Sequence, residues 1–330
     1  MRRRILVTGG AGFIGSHVVD HHIALGDDVV VVDDLTTGRR HNLAHHPADR
    51  LKLIEARVED PGVMQRALDG GIDRIYHLAA VVGVFEVLRR PLDALRSNLD
   101  ATEAVFEIAA TQGIRTIFAS TSEVYGKNDA NRLDELQDAI YGPTSVTRWL
   151  YAASKATDEF MALAYRAEFG LPVTVVRLFN TTGPRQSGSY GMVVPRLVRQ
   201  ALHGEALTVF GDGTQTRCFT NVFDVVAAMS ALADTDESIG EVVNIGQPEE
   251  ISIAGLARRV IELTHSRSEL VFIPYEQAYG AGFEDMRRRV PDVTKLRRLV
   301  GDVPFTLIGD TIGQVIEAIQ TEERTTSGTH

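Results

Sequence analysis

Tyr151 and Lys155 stand four positions apart in a segment with a helical pattern. Side chains four residues apart on a helix project from the same face, so the phenol and the ammonium can lie side by side. An ammonium beside a phenol favours the phenolate, and we expect it to lower a pKa that is about 10 when unperturbed. The pair therefore predicts a general base that acts on a substrate hydroxyl near neutral pH.

A glycine-rich turn near the amino terminus is the second feature that could do chemistry. It follows the apolar run Ile5–Val7 and leads into a helical pattern. Glycines permit a tight turn and let backbone N–H groups approach a pyrophosphate at the start of the helix. The predicted cofactor contacts in this turn are Gly9, Gly12, Phe13, Ile14 and Gly15. With Tyr151 and Lys155, the turn predicts hydride transfer between a dinucleotide and a hydroxyl-bearing carbon.

Two acids, Asp33 and Asp34, end the next apolar run. This is where a dinucleotide-binding unit places a carboxylate that grips a ribose hydroxyl. A carboxylate there repels a 2′-phosphate, so the sequence favours NAD over NADP.

The elements that must position these residues alternate between short β-branched runs and amphipathic helical stretches. Predicted strands are Ile5–Val7, Val29–Val32, Leu51–Ile54, Ile75–Leu78, Thr116–Ala119 and Val173–Leu178. Predicted helices are Ser16–Ala24, Pro61–Leu68, Ala101–Ala110 and Ala152–Phe169. Apolar strands separated by helices of this length indicate an α/β fold of the Rossmann type, with a doubly wound parallel sheet covered on both faces.

The pattern loosens after Leu178. Predicted there are a loop over Asn180–Val194, helices over Pro195–His203, Thr220–Asp234 and Asp310–Gln320, and strands over Leu207–Phe210 and Glu241–Ile245. We predict an NAD-binding domain over residues 1–180, to which roughly 218–248 return. An interleaved, smaller α+β substrate-binding lobe covers 181–330.

The composition is that of an ordinary globular enzyme, with 44% hydrophobic and 24% charged residues in a chain of 330. A formal net charge of −10 argues against a nucleic acid as partner. No segment approaches the ~20 apolar residues of a membrane span, so we expect no membrane partner. Cys218 is the single cysteine and cannot form an internal disulfide, which favours a cytoplasmic location.

Further motifs run along nearly the whole chain. They are His77–Ala80, Asn98, Thr121–Gly126, Tyr151–Lys155, Phe179 and Asn180, Gly183–Arg185, and Gly211–Gly213 leading to Arg217. With the glycine spacing, they make the chain resemble the extended short-chain dehydrogenase/reductase family, in the branch that acts on nucleotide sugars. The resemblance implies a tightly held NAD that is reduced and reoxidised within one catalytic cycle. It also implies cofactor contacts at Gly38, Leu78, Ala79, Ala80, Tyr151 and Lys155.

The resemblance assigns roles to the catalytic residues. Tyr151 would take the proton from a sugar hydroxyl, while Lys155 would stabilise the phenolate and hold the nicotinamide ribose. Thr121 lies just past a predicted strand, where open α/β sheets place ligands, and its hydroxyl can bond to the reacting oxygen.

Glu123 and two arginines narrow the reaction. The triplet Thr121–Glu123 is similar to that of UDP-glucuronate decarboxylases and some 4,6-dehydratases, although other dehydratases carry aspartate in place of Ser122. The stretches around Arg148 and Arg289 are similar to those of the lipid A-modification and UDP-xylose synthase types of decarboxylase. A guanidinium suits carboxylate or phosphate recognition. Arg148 could also form a structural ion pair, and Arg289 could belong to a solvated basic run or hold only diphosphate.

The lead hypothesis is a UDP-glucuronate decarboxylase that forms UDP-xylose or a related pentose through a 4-keto intermediate. Protonation at C5 would involve Glu123 or Arg289, directly or through water. Three other functions stay open: a UDP-sugar 4-epimerase, a 4,6-dehydratase, and a nucleotide-binding regulator without catalysis. The last would lack Tyr151 or Lys155, and both are present.

Two positions depart from the family pattern. The decarboxylases generally carry a tyrosine four residues before the proline of this segment, where Val87 precedes Pro91. An aspartate usually follows the third strand to hold the adenine, where this chain has Arg57, which we interpret as a surface arginine. A different sugar, or a different fate of the ketone, therefore stays open.

The predicted substrate lobe supplies the remaining contacts. Asn180, Arg217 and Arg289 would meet the diphosphate, the backbone near Val194 would flank the nucleobase, and Arg185 would point at the sugar. The ten histidines show no convincing metal arrangement, so no metal is expected. Relatives commonly form homodimers through the helix that carries Tyr151 and the helix near Ala101–Ala110, so a homodimer is expected here.

Overall fold

A seven-stranded parallel sheet forms the centre of the computed structural model, which describes residues 2–81, 89–188, 192–279, 286 and 288–327. Its strands, in spatial order, are Val242–Ile245, Val173–Leu178, Arg115–Thr121, Arg74–His77, Arg4–Thr8, Asp28–Asp33 and Leu51–Glu55. All neighbouring pairs are parallel. The predicted Rossmann-type fold is confirmed, and the carboxyl ends of these strands share one edge of the sheet.

Alternating side chains of the strands supply two hydrophobic cores, one on each face of the sheet. In the first strand, Ile5 and Val7 pack into one core and Leu6 into the other. Because both faces are covered, these strands are apolar almost throughout. Helices Phe13–Ala24 and Val222–Ala233 cover the first face; Val63–Leu68, Pro91–Gln112 and Leu150–Phe169 cover the second.

A third core lies in the carboxyl-terminal half. Helices Val193–Leu202, Ile253–Thr264 and Ile308–Ser327 enclose it with the parallel strands Leu207–Phe210 and Leu270–Ile273. Short strand pairs join this region to the sheet edge: Thr181–Thr182 with Thr220–Asn221, and Thr216–Cys218 with Glu250–Ser252. The other helices within the described residues are Tyr275–Tyr279 and Thr294–Val300, with 3-10 turns at Arg40–Leu43, Ser122–Tyr125, Thr147–Trp149 and Asp236–Ser238.

The predicted strands lie where the sequence placed them, within a residue or two at each end. The helix predicted from Ala101 begins earlier, at Pro91, because proline suits a first helical position and Asp93 lies in the first turn. The helix predicted from Thr220 begins at Val222, because the Asn221 side chain accepts the N–H of Phe223 at 2.9 Å and caps it.

The edge strand Val242–Ile245 comes from the stretch predicted to return to the first domain. The division into two domains itself stays a prediction. Among the described helices, none is both long enough and apolar enough to cross a membrane.

Candidate active site

The glycine turn lies at the carboxyl edge of the sheet and tolerates no side chain at two of its positions. Gly9 has a φ of +69°, and a Cβ there would stand 2.9 Å from the backbone N of Ala79. A Cβ on Gly15 would collide with the carbonyl oxygen of Gly9. Helix Phe13–Ala24 starts directly after Gly12, so its free N–H groups face the turn. This cradle fits the pyrophosphate of a dinucleotide.

Of the two predicted acids, Asp33 rather than Asp34 faces this turn. The buried Asp33 carboxylate accepts the N–H of Ala11 at 2.9 Å and of Leu35 at 2.8 Å. A Cβ on Gly38 would stand 2.6 Å from Asp33 Oδ1, so this glycine lets the loop close over the acid. Asp34 is exposed and accepts the local N–H of Thr36 at 2.9 Å. A carboxylate beside the turn fits the ribose of NAD.

The segment Leu78–Ala80 is held beside the glycine turn by Thr8. The Thr8 hydroxyl oxygen accepts the N–H groups of Leu78 and Ala79, each at 3.2 Å. Ala80 follows, half-buried.

The two positions that depart from the expected sequence pattern are Arg57 and Val87. Arg57 pairs with Glu59 at 2.5 Å and is 52% exposed, which agrees with its interpretation as a surface arginine. Val87 lies outside the described residues.

Tyr151 and Lys155 lie in the first turns of helix Leu150–Phe169. Thr121 is the last residue of strand Arg115–Thr121, where its hydroxyl bonds to the Tyr151 phenol and accepts the N–H of Glu123 at 3.2 Å. Lys155 is buried, and its Nζ lies 3.2 Å from the Asp158 Oδ2 and 4.1 Å from the centre of the Phe118 ring. The structure thus brings together the predicted base, lysine and threonine.

The expectation that Lys155 lowers the pKa of Tyr151 is wrong for this arrangement. Burial raises the pKa of the phenol, the carboxylates of Glu123 and Asp158 raise it further, and only the bond from Thr121 lowers it. The physical reason is that the Lys155 charge is balanced by Asp158 at 3.2 Å. Burial and the two neighbouring carboxylates therefore determine that the pKa of Tyr151 is raised.

Glu123, Arg148 and Arg289 form a cluster that we call the Glu123 clamp. Arg148 Nη1 lies 2.7 Å from one carboxylate oxygen and Arg289 Nη2 lies 2.8 Å from the other. Arg289 also donates through Nη1 to the Ser122 hydroxyl at 3.2 Å. Both arginines are buried. With two guanidinium groups and one carboxylate, the clamp carries a net positive charge.

The clamp keeps Glu123 ionised. Burial on its own would raise the pKa of this carboxyl, but the charges of Arg289 and Arg148 outweigh it and hold the pKa well below its usual range. A carboxylate in this state is suited to balancing charge rather than to donating a proton.

A cavity next to the clamp gathers most of the predicted substrate contacts. Its walls include Glu123, Arg148, Asn180, Val194, Arg217 and Arg289. Asn180 donates to the carbonyl of Cys218 at 2.8 Å, and Arg217 is buried with Nη1 on the carbonyl of Thr216 at 2.8 Å. These contacts hold both side chains at the wall.

Arg185 is not brought to this cavity. Its Nη1 pairs with Asp20 on helix Phe13–Ala24 at 2.8 Å. The same carboxylate meets the Nε2 atoms of His45 at 3.1 Å and His46 at 2.7 Å, a group whose geometry could hold a metal ion. The sequence did not reveal this cluster because the acid and the histidine pair are far apart in the chain.

Sequence reasoning also missed Arg196 and Asp158. Arg196 lines the cavity, with its guanidinium 4.4 Å from the centre of the Phe210 ring and its Nη1 2.7 Å from the carbonyl of Thr208. No motif singles it out. Asp158 had a signal, since a residue three positions after Lys155 on a helix shares its face.

Comparison with known proteins places these features in a family. The model of the NAD dependent epimerase/dehydratase family matches residues 5–246. The chain is 41% identical over 301 residues to a UDP-N-acetyl-alpha-D-glucosaminuronate decarboxylase of Bacillus cytotoxicus, covering 91% of this chain and 92% of the relative. It is 36% identical over 322 residues to UDP-glucuronic acid decarboxylase 1 of Danio rerio, covering 97% and 73%.

A solved structure of similar shape is the UDP-glucuronic acid 4-epimerase of Bacillus cereus in complex with UDP-glucuronic acid and NAD. The TM-score is 0.85 at 28% identity, over 96% of this chain and 99% of that one. The matched family region contains the glycine turn, Thr121, Glu123, Tyr151 and Lys155. The chain belongs to the NAD dependent epimerase/dehydratase family.

Proposed function

We propose that this protein is an NAD-dependent decarboxylase of UDP-linked uronic acids, which forms UDP-xylose or a related UDP-pentose. The observation that carries the proposal is the Glu123 clamp, a buried site with net positive charge in the wall of the substrate cavity. Arginine forks match a carboxylate in shape and charge. The C6 carboxylate of a uronic acid is such a group, and relatives at 36–41% identity are named for acting on these sugars.

The first step is oxidation at C4 of the sugar. When bound, NAD would supply the hydride acceptor for this oxidation and the hydride for the final reduction. The Tyr151 phenolate takes the proton of the C4 hydroxyl, and the Thr121 hydroxyl bonds to the same oxygen. Lys155, on the same helix as Tyr151, would hold the nicotinamide ribose, and the glycine turn, Asp33 and Leu78–Ala80 would hold the rest of the cofactor.

The second step is loss of CO₂. The C4 ketone is β to the C6 carboxylate, so the C5–C6 bond can break with its electron pair delocalised onto the ketone oxygen as an enolate. The Tyr151 and Thr121 hydroxyls donate to that oxygen and stabilise the charge. A proton then adds at C5, and the C4 ketone is reduced with proton return from Tyr151.

The clamp performs two tasks in this scheme. Arg148 and Arg289 orient the C6 carboxylate, and Glu123 holds both guanidinium groups in place as a fixed counter-charge. Because Glu123 stays ionised and a guanidinium does not release its proton in a protein, the proton for C5 reaches the sugar from water ordered at the clamp.

A UDP-glucuronate 4-epimerase is the second candidate. The similarity to the Bacillus cereus epimerase, which is solved with UDP-glucuronic acid, favours it. Such an enzyme binds the same carboxylate but keeps it, so both candidates use the clamp for recognition and differ in the fate of the ketone.

Product analysis separates the candidates. The purified protein is incubated with NAD and either UDP-glucuronic acid or its 2-acetamido counterpart, and the nucleotide sugar is examined by mass spectrometry. Loss of the mass of CO₂ supports decarboxylation, whereas unchanged mass with altered sugar stereochemistry supports epimerisation. Loss of the mass of water would indicate a dehydratase. No change with either uronate would contradict the proposal.

The proposed assembly is a homodimer in the cytoplasm. Helices Pro91–Gln112 and Leu150–Phe169 pack side by side, and the second exposes Phe160 by 76% and Phe169 by 63%. Exposed aromatic side chains on a paired helix face support a helical interface between two copies. The single cysteine, Cys218, is buried and free, which is compatible with a reducing compartment.

A further inference from the structure

Asp158 is a buried acid that the scheme above does not use. It lies on helix Leu150–Phe169, one turn after Lys155, and its side chain has no exposed surface. Its Oδ2 stands 3.2 Å from the Lys155 ammonium. A carboxylate in such a place costs free energy unless charge and hydrogen bonds compensate it, so its partners explain what it does.

A chain of buried polar groups runs to Asp158 from the cofactor edge of the sheet. Thr8 Oγ1 lies 2.7 Å from His77 Nδ1, and His77 Nε2 lies 3.3 Å from Thr102 Oγ1. Thr102 lies on helix Pro91–Gln112, near enough to Asp158 to lower the pKa of its carboxyl. All of these side chains are buried.

The hydrogen bonds of this chain have one consistent direction. Burial lowers the pKa of His77 to about 3, so its ring is neutral and carries one N–H. The Thr8 oxygen already accepts two backbone N–H groups, so its hydroxyl donates to His77 Nδ1. His77 Nε2–H then donates to Thr102 Oγ1. Thr102 in turn lowers the pKa of Asp158 and so favours the ionised acid.

We propose that Asp158 is a positioning residue: its buried carboxylate, 3.2 Å from the Lys155 Nζ, anchors the Lys155 ammonium on the catalytic helix where it would hold the nicotinamide ribose. This proposal rests on the roles proposed for Tyr151 and Lys155. The hydrogen bonds of the Thr8–His77–Thr102 chain join the strand end that carries the glycine turn to helix Pro91–Gln112.

The charges around the pair show what Asp158 contributes. Burial lowers the pKa of Lys155, and the Asp158 carboxylate works against this and keeps the ammonium charged; Glu159, on the same helix, adds a smaller effect of the same sign. Burial also raises the pKa of Asp158, while Lys155 and Thr102 lower it. The two groups therefore depend on each other for their charges.

The first experiment compares Asp158→Asn with the wild type in turnover. The variant keeps the size of the side chain and removes its charge, so we expect kcat to fall about tenfold or more while KM for UDP-glucuronic acid changes less than about twofold. Glu168→Gln removes one negative charge from an exposed position of the same helix and serves as the control. A kcat within twofold of wild type in a folded Asp158→Asn protein would overturn the proposal.

The second experiment needs no substrate and measures the free energy of unfolding as a function of pH. Without Asp158, folding buries an unpaired ammonium, which lowers the folded-state pKa of Lys155 further below its unfolded value of about 10.4. The unfolded state of the variant then binds more protons than its folded state, so the variant gains stability as pH rises from about 7 towards about 10. The difference in the free energy of unfolding between the variant and wild type therefore becomes smaller over this range.

A double-mutant cycle separates this effect from simple loss of packing. In a Lys155→Met background, Asp158→Asn is expected to show no narrowing with pH, because no ammonium is left to neutralise. If the loss of stability caused by Asp158→Asn does not depend on pH, or depends on pH in the same way with and without Lys155, the proposed pairing of Asp158 with Lys155 is contradicted. If Asp158→Asn does not fold, Thr102→Val is measured instead, with a smaller change of the same sign expected and no change as the contradicting result.

The two proposals fail in different ways. If wild type releases no CO₂ from any uronate, the proposed function fails, while the unfolding cycle still tests the pairing of Asp158 with Lys155.

Discussion

Glu123 shows how strongly a side chain's role depends on its partners. In the sequence it is one acid in a Thr-Ser-Glu triplet, suited to proton transfer. In the structure, two buried guanidinium groups hold it as a carboxylate, which suits it to organising charge. We therefore propose that Glu123 binds and positions the two arginines.

Glu123→Gln tests that task. The amide cannot balance two buried arginines, so we expect kcat with UDP-glucuronic acid to fall about 100-fold. NAD affinity should stay unchanged, because the glycine turn and Asp33 are untouched. Turnover close to wild type, measured alongside the exposed-site control Glu168→Gln, would refute the role.

The variant Arg289→Met tests whether Arg289 binds the carboxylate or the diphosphate of the substrate. Removing this cation leaves Glu123 and Arg148 with no net charge. We expect affinity for UDP-glucuronic acid to fall about 10- to 100-fold while affinity for UDP-glucose stays nearly the same. Calorimetric titration of both nucleotide sugars gives the answer, and an equal loss for both would assign Arg289 to the diphosphate.

Thr121 allows a pH test of the base. Its hydrogen bond lowers the pKa of Tyr151 against the opposing effects of burial, Glu123 and Asp158. In Thr121→Val the pKa rises, so the phenolate forms only at higher pH. The acid limb of the kcat/KM profile should therefore move up by about one pH unit. Thr121→Ser keeps the hydroxyl, so its kcat/KM profile should have the same acid limb as that of wild type. Identical pH profiles of kcat/KM for wild type and both variants would contradict the role of Tyr151 as the base.

At the scale of elements, the sheet explains why distant residues meet. Strands ending at Thr8, Asp33, His77 and Thr121 are parallel, so their carboxyl ends share one edge. The apolar runs and the glycine turn are local patterns, and they were sufficient to predict these strands and the fold.

The contacts that set the charges could not be predicted in the same way. Arg289 reaches Glu123 from a segment far along the chain, and no periodicity encodes such an ion pair. Asp158 was visible as a neighbour of Lys155 on the helix, but its burial depends on how helix Pro91–Gln112 packs against it. The predicted direction of the Tyr151 pKa shift was therefore wrong, because a sequence shows which charged residues exist but not which of them pair with one another in the fold.

The glycine turn gives a stability prediction for an element. Gly15→Ala places a methyl group against the Gly9 carbonyl, so we expect about 1–3 kcal/mol less stability and weaker NAD binding. Gly313→Ala, on helix Ile308–Ser327, meets no atom within 4 Å and should be neutral or slightly stabilising. Thermal unfolding with and without NAD compares them, and an unaffected Gly15→Ala protein would contradict the close packing of the turn.

At the scale of the whole molecule, the active site lies where two cores meet. The 3-10 turns Ser122–Tyr125 and Thr147–Trp149 contribute Glu123 and Arg148 to the cavity, and the helices of the third core contribute Val194 and Ile253. The molecule is acidic overall, so binding of an anionic nucleotide sugar depends on the buried arginines of this cavity rather than on long-range attraction.

The proposed dimer is tested by a charge in its interface. Phe160→Asp introduces a carboxylate on the exposed face of helix Leu150–Phe169, so we expect a monomer in light scattering after size exclusion. Phe272→Asp, at a 48% exposed position on strand Leu270–Ile273, should leave the mass unchanged. A dimer that survives Phe160→Asp would place the interface elsewhere.

We propose above all that the Glu123 clamp binds the C6 carboxylate of a UDP-linked uronic acid and that this carboxylate is then lost as CO₂. The most direct measurement is carbon NMR of the reaction with UDP-glucuronic acid labelled with ¹³C at C6, in the presence of NAD. The account predicts that the label leaves the sugar and is found in CO₂ and bicarbonate, with a UDP-pentose formed in equal amount. Label that stays in a UDP-hexuronic acid of altered stereochemistry would contradict it and identify the protein as an epimerase.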